Sequence, residues 1–267
     1  MKRLTPLLMT LALIAVLTAA ASGSGGRRTV TVVLNGKTLN FDAAAYLEGG
    51  RTMVPLRAVA EALGLTVKWT GGTDTAYLYS DDWSPDLSGR TIVVDPGHGG
   101  SATGAAYHGV RESHLNLAIA QKTARALESM GARVVMTRTG DRDVSLSDRA
   151  ALANRLKADL LLSIHCNSSA SNPDARGIYT AHHSASRDGQ AAADLLRQTM
   201  MASTGAPDMG THRRDDLAVL RQSRVPAALV ECGFMSTPAE LDLLQQDAYQ
   251  QQLARGIAHG AALYLAA

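Results

Sequence analysis

Four residues with the chemistry of a hydrolytic centre stand at corresponding places in the sequence: His98, Glu112, His165 and Glu231. His98 follows the apolar run "TIVVDPG", His165 ends "ADLLLSIH" and Glu231 ends "AALVE". Glu112 opens a helical stretch fourteen residues after His98. Two imidazoles and one carboxylate form a set that holds a catalytic zinc and leaves its fourth position open for water. A second carboxylate alongside is suited to carry the proton. Each residue also has a plainer reading. A strand-end histidine is often a satisfied polar group, and a glutamate in a first helical turn is favoured by the helix dipole alone. The residues are scattered and no compact HExxH marks them, so spacing alone leaves both readings open.

The elements that must position these side chains are those of an α/β domain. From Thr91 onward, short apolar runs alternate with amphipathic helical stretches, the pattern of a mostly parallel sheet flanked by helices. Strands are expected at "TIVVD", "ARVVMT", "ADLLLSIH", "GIYTA", "LAVL" and "AALVE". Helices are expected at "ESHLNLAIAQKTARALESMG", at "SLSDRAALANRLK", over about 189–203 and over about 247–265. The first has Leu117, Ala120, Ala124 and Leu127 at helical spacing and Gly131 at its end. The second opens with Ser145 and Asp148 as a capping box. In such sheets functional groups collect where strands end, which is where His98, His165 and Glu231 lie. Gly97, Gly99 and Gly100 give the turn its freedom and leave space beside His98. The loop lacks the Gly-Lys-Ser/Thr ending of a phosphate loop, and Ala102 stands where a dinucleotide fingerprint needs glycine.

The rest of the chain bounds the class. Met1 to Ala21 reads as a secretory signal: Lys2 and Arg3, an apolar stretch from Leu7 to Leu17, then small residues. That stretch is short for a bilayer span, and no cysteine near the cleavage point marks a lipid anchor. Cleavage there takes two of the 26 basic residues and none of the 24 acidic ones, leaving 24 against 24. A balanced charge excludes a typical nucleic-acid binder. Residues 22–28 are a flexible spacer. A small α+β module follows over about 29–80, with a hairpin at Asn35-Gly36, a short helix in "VPLRAVAEALG" and a second hairpin around Gly71-Gly72. Its "GRTMVPLRAVAEALG" resembles the copper-amine-oxidase N-terminal-like module. With no His, no Cys and only Met53, it holds no copper ligand set, and a wall-binding or spacer role is expected. Residues 81–90 form a polar linker, and 91–267 the catalytic domain.

"VVDPGHGG", "ESHLNLAIA", "TRTGDRDVSLSDRAALAN", "ADLLLSIHCN" and "VPAALVECGFMST" occur in that order from about Arg90 to the C-terminus. In order and spacing they resemble the zinc-dependent N-acetylmuramoyl-L-alanine amidases of the amidase-3 type. The resemblance implies one Zn²⁺ held by His98, Glu112 and His165, with Glu231 as catalytic acid/base, and peptidoglycan as substrate. It implies cleavage of the amide between N-acetylmuramic acid and L-alanine. The metal site alone equally suits a zinc peptidase or deacetylase of the wall polymer, and a non-catalytic wall-binding protein is the third reading. Some members insert a helix over the zinc, whereas Tyr179 to Arg187 here is a short polar loop. A monomer active without an activator protein is therefore expected, secreted to the cell wall or periplasm.

Two departures stand out. Cys166 and Cys232 occupy places where small or apolar residues are usual, and "THRRDDLAVL" is a loose version of the corresponding stretch, leaving Arg213 and Arg214 unassigned. If strand alternation persists, both thiols turn away from the site and are small buried hydrophobes, able to form a disulfide only if their strands are neighbours. Asn116 and Asn167 read as supporting or substrate groups, or as turn formers. Arg138, Arg149 and Asn154 read as residues that fix loops and helices. The histidines at 108, 114, 182, 183, 212 and 259 match no motif and read as surface or loop residues.

Overall fold

A computed structural model of the chain describes residues 13–16, 27–80, 83, 85–172 and 174–266. The expected signal peptide apart from Leu13–Val16, most of the spacer, and Asp81, Asp82 and Ser84 of the linker lie outside the described residues. The chain divides into two compact units, Met1–Val67 with Tyr77–Trp83, and Lys68–Ala76 with Ser84–Ala267.

In the first unit, β1 (Leu13–Val16) pairs antiparallel with β2 (Thr31–Leu34), which turns into β3 (Lys37–Thr38). Asn35 and Gly36 have φ of 49° and 81°, the two positive values that a tight hairpin turn needs and that Asn-Gly supplies. β4 (Tyr46–Glu48) and β5 (Arg51–Met53) make a further hairpin, and α1 (Leu56–Ala62) follows Pro55 as read from the sequence. β6 (Leu65–Thr70) and β7 (Thr75–Ser80), whose residues 68–76 belong to the second unit, form the second expected hairpin.

The second unit holds a six-stranded sheet. Its strands are β8 (Thr91–Pro96), β11 (Arg133–Met136), β12 (Leu160–Asn167), β13 (Ile178–His182), β14 (Asp208–Arg213) and β15 (Ala227–Phe234). Their order is β11-β8-β12-β15-β13-β14. All neighbours are parallel except β13 and β15, which run antiparallel. Ile92 to Val94, Leu160 to Leu162 and Ile164 are all fully buried, as expected of central parallel strands covered on both faces. β9 (Ala106–Tyr107) and β10 (Val110–Arg111) make a small ribbon before α2 (Glu112–Ser129). α7 (Asp247–Leu265) packs with both α2 and α4 (Arg187–Thr204), while α3 (Leu146–Leu156) packs with α5 (Ala218–Arg221). α6 (Pro238–Leu244) lies between β15 and α7 in the chain.

Two expectations are corrected. "LAVL" is not a strand: it forms α5, with Val219 and Leu220 buried, because a four-residue apolar run fits one buried helical turn as well as a strand. The strand is instead β14, whose "DMGTHR" carries no apolar alternation. It is an edge strand bonded only to β13, and an edge position does not demand apolar side chains. The Ser145 cap does form: its Oγ accepts the Asp148 N–H at 3.1 Å. No helix among the described residues is long and apolar enough to cross a membrane.

Candidate metal and catalytic site

The end of β8, the first turn of α2 and the end of β12 bring His98, Glu112 and His165 together. One ligand atom from each can be chosen so that all lie within 4.8 Å of one another. Glu112 joins the two histidines, with Oε2 3.2 Å from His98 Nε2 and Oε1 3.0 Å from His165 Nδ1. The imidazole rings stand edge to face, centroids 4.9 Å apart. Glu112 is 5% exposed, and its carboxylate is fixed by the protein as well. Oε2 accepts the Ala105 N–H at 3.0 Å, and Oε1 accepts Asn116 Nδ2 at 3.1 Å and the Cys166 N–H at 3.3 Å. Burial alone raises the pKa of such a carboxyl, but hydrogen bonds and charge from His165 and His98 outweigh it and hold Glu112 well below the usual range.

Two glycines make this approach possible. A Cβ on Gly97 falls 2.2 Å from the His165 ring, and one on Gly104 falls 2.4 Å from Glu112 Oε2 and 2.7 Å from His98 Cδ2. Gly97 stood out in the sequence, although the space it leaves is taken by His165. Gly104 lies in a stretch without periodic signal and escaped the sequence reading.

Glu231 sits directly across from His165 on the adjacent parallel strand and across from Tyr179 on its other side. As a residue it is half-buried at the cleft, yet its Oε2 is buried with no hydrogen-bond partner. Burial and the Glu112 charge push its pKa well up, opposed by Arg214. Tyr179 is pushed up to about 12 by burial and the charge of Glu231, with Arg214 again opposing through charge and a hydrogen bond. Of the two unassigned arginines it is Arg214 whose charge reaches Tyr179 and Glu231, and it is paired with Asp216 through two bonds of 2.8 Å. Tyr179 was not singled out from sequence, because its place beside Glu231 depends on strand order.

The supporting residues resolve as well. Asn116 holds Glu112, while Asn167 Oδ1 accepts the Ser168 N–H and the residue lines the cleft. Asn154 clasps the loop after α5 through Gln222 O and Arg224 N. Cys166 and Cys232 are both buried and free, on neighbouring strands. His182 corrects the expectation of a surface residue: it is 2% exposed at the end of β13, with Nδ1 3.0 Å from His183 O. The four central residues open into a cleft of about 500 Å³ walled by Leu146, Leu217 and Val219.

The model of the N-acetylmuramoyl-L-alanine amidase family matches residues 92–262, and that of the copper amine oxidase N-terminal domain matches residues 31–95. The chain belongs to the N-acetylmuramoyl-L-alanine amidase family. This amidase is 37% identical over 186 residues to the probable cell wall amidase LytH of Staphylococcus aureus, covering 68% of the chain and 60% of LytH. Among solved structures it is similar to an N-acetylmuramoyl-L-alanine amidase from Clostridium difficile 630, with 38% identity and a TM-score of 0.65 over 68% of this chain and 99% of that one. It is also similar to the CwlD amidase of Clostridioides difficile, solved in complex with the GerS lipoprotein, at 27% identity and a TM-score of 0.64 over 66% and 98%. The amidase is thus a peptidoglycan hydrolase acting on the bond between N-acetylmuramic acid and L-alanine.

The buried carboxyl of Glu231 has a measurable consequence in the metal-free protein. A carboxyl with a raised folded pKa favours the fold when protonated, so its contribution is whole below about pH 4.3 and is lost as pH rises toward the folded value. Glu231→Gln has no such loss. Its melting temperature is expected to match that of the parent near pH 4 and to exceed it at pH 7. Thermal melts of both proteins at the two pH values check this; an equal difference at both would contradict it.

Proposed function

We propose that the amidase works through one zinc ion held by His98, Glu112 and His165, with Glu231 moving the proton. The site fits the ion. Two imidazoles and a carboxylate are a catalytic zinc donor set, and one ligand atom from each of the three residues lies within 4.8 Å of the others. The single observation that carries the reading is this convergence on Glu112 beside a buried, unpartnered Glu231 oxygen. Zinc bound there supplies Lewis acidity, lowering the pKa of a water toward ~7 and polarising the substrate carbonyl.

Glu231 takes the proton as water adds to the lactyl carbonyl carbon and passes it to the alanine nitrogen as the C–N bond breaks. The products are a free lactyl carboxyl on the sugar and a free amine on L-alanine. The low-polarity surroundings that raise the pKa of Glu231 make it a better proton acceptor once ionised and a ready donor to the amine. Asn116 and the Ala105 N–H hold Glu112 in place.

Only His183–Ser186 separates β13 from α4, shorter than the loop read from sequence, so no inserted helix covers the cleft there. On this reading the amidase acts as a monomer without an activator, exported to the wall or periplasm, with the N-terminal module in a wall-binding or spacer role. Hydrolysis by the purified protein alone is the expected result; a folded, zinc-loaded protein that stays inert until another protein is added overturns this.

Digestion of purified peptidoglycan by residues 28–267, with products identified by mass spectrometry, tests the reading. Free stem peptides beginning with L-alanine are expected. Their release should stop on chelation and return with added zinc. Shortened stems point to a peptidase, lost acetyl groups to a deacetylase and no product to a binder.

A further inference from the structure

Two buried arginines grip the loop that carries His98. Arg138 is fully buried and Arg149 is 4% exposed. Where the chain leaves β8, three successive carbonyls lose the sheet as a partner, and the two guanidiniums take all three. Pro96 O accepts Arg138 Nε at 3.0 Å and Arg149 Nη1 at 2.8 Å. Gly97 O accepts Arg138 Nη2 at 2.8 Å, and His98 O accepts Arg149 Nη2 at 2.8 Å. Each arginine ties this loop to a further segment: Arg138 Nη2 also bonds Ser113 O in the first turn of α2, and Arg149 Nη2 bonds Val144 O before α3. One buried carboxylate, Asp95, faces the pair. It accepts Arg149 Nη1 at 2.7 Å, Thr137 Oγ1 at 2.6 Å and Ser163 Oγ at 2.8 Å.

The conformation being held is a costly one. His98 has φ of 59°, the left-handed region that a residue with a Cβ rarely enters unless its surroundings impose it. That conformation aims its imidazole at Glu112. An unbonded buried carbonyl is unfavourable, so the one arrangement in which all three carbonyls meet the arginine forks is the one in which His98 can serve as a ligand. Lysine cannot replace this grip, because an ammonium is a point donor and a guanidinium is a rigid fork.

We infer that Arg149 and Arg138 are positioning residues for His98, setting the affinity and geometry of the metal site through the backbone of its ligand. The inference rests on the reading of His98 as a zinc ligand. It differs from a general role in holding the fold, because the bonds to His98 O and Gly97 O act on the ligand loop itself, whereas the Ser163 bond to Asp95 does not.

The test compares the full chain with Arg149→Lys, Ser163→Ala and His98→Ala, by competition titration of zinc against a chromophoric chelator and by the visible spectrum of the cobalt(II)-substituted protein. Arg149→Lys is expected to bind zinc roughly 10- to 100-fold more weakly, the usual range for a residue that supports a ligand, and to show an altered cobalt spectrum. Ser163→Ala is expected to keep the parent affinity and spectrum. A folded Arg149→Lys protein with the parent affinity and spectrum overturns the inference, as does a Ser163→Ala protein weakened to the same degree. If Arg149→Lys does not fold, Arg138→Lys, which gives up the Gly97 and Ser113 carbonyls, is read by the same criteria. His98→Ala separates the two levels: if it binds zinc as tightly as the parent, the ligand assignment itself is wrong.

Discussion

Glu231→Gln is expected to hydrolyse the muramoyl-alanine bond about 10²- to 10⁴-fold more slowly while binding zinc as the parent does, the usual cost of losing a general acid/base. The side chain keeps its size and its place on β15 across from His165, and none of the proposed ligand atoms changes. What is lost is the group that accepts the proton. The measurement is the rate on soluble muropeptides at saturating zinc. A rate within a few-fold of the parent would place the proton transfer on another residue.

His98→Ala, Glu112→Ala and His165→Ala are expected to lose hydrolysis altogether, by a different route. Each removes one of three ligands, so the metal itself is lost or greatly weakened. Glu112→Ala carries the added consequence that the Ala105 and Cys166 N–H groups and Asn116 Nδ2 lose their shared acceptor. It should be the least stable of the three in a thermal melt. Restoration of full rate by excess zinc in any of them would contradict its assignment as a ligand.

Much of this was legible in the sequence because the central strands are buried on both faces. "TIVVD", "ADLLLSIH" and "AALVE" can only be continuous apolar runs, and they deliver His98, His165 and Glu231 at their ends whatever the strand order. The illegible parts are those where no burial pattern is imposed. β14 is polar because it is an edge, and "LAVL" is too short for its period to distinguish helix from strand. Tyr179 and Arg214 reach Glu231 only because β13 lies antiparallel beside β15, a pairing that residue types do not encode. Gly104 and the Ala105 N–H belong to an irregular loop whose role is set by what approaches it. The two arginines were legible as loop-fixing residues, but not that the loop they fix bears His98.

The measurement that bears most directly on the account is bound zinc per protein, determined in parallel for the parent, His98→Ala, Glu112→Ala, His165→Ala and Glu231→Gln after identical metal loading and removal of excess ion. The geometry around Glu112 predicts one zinc per chain in the parent and in Glu231→Gln, and little or none in the other three. A Glu231→Gln protein without zinc beside a Glu112→Ala protein that keeps it would show that the ligand and the base have been exchanged.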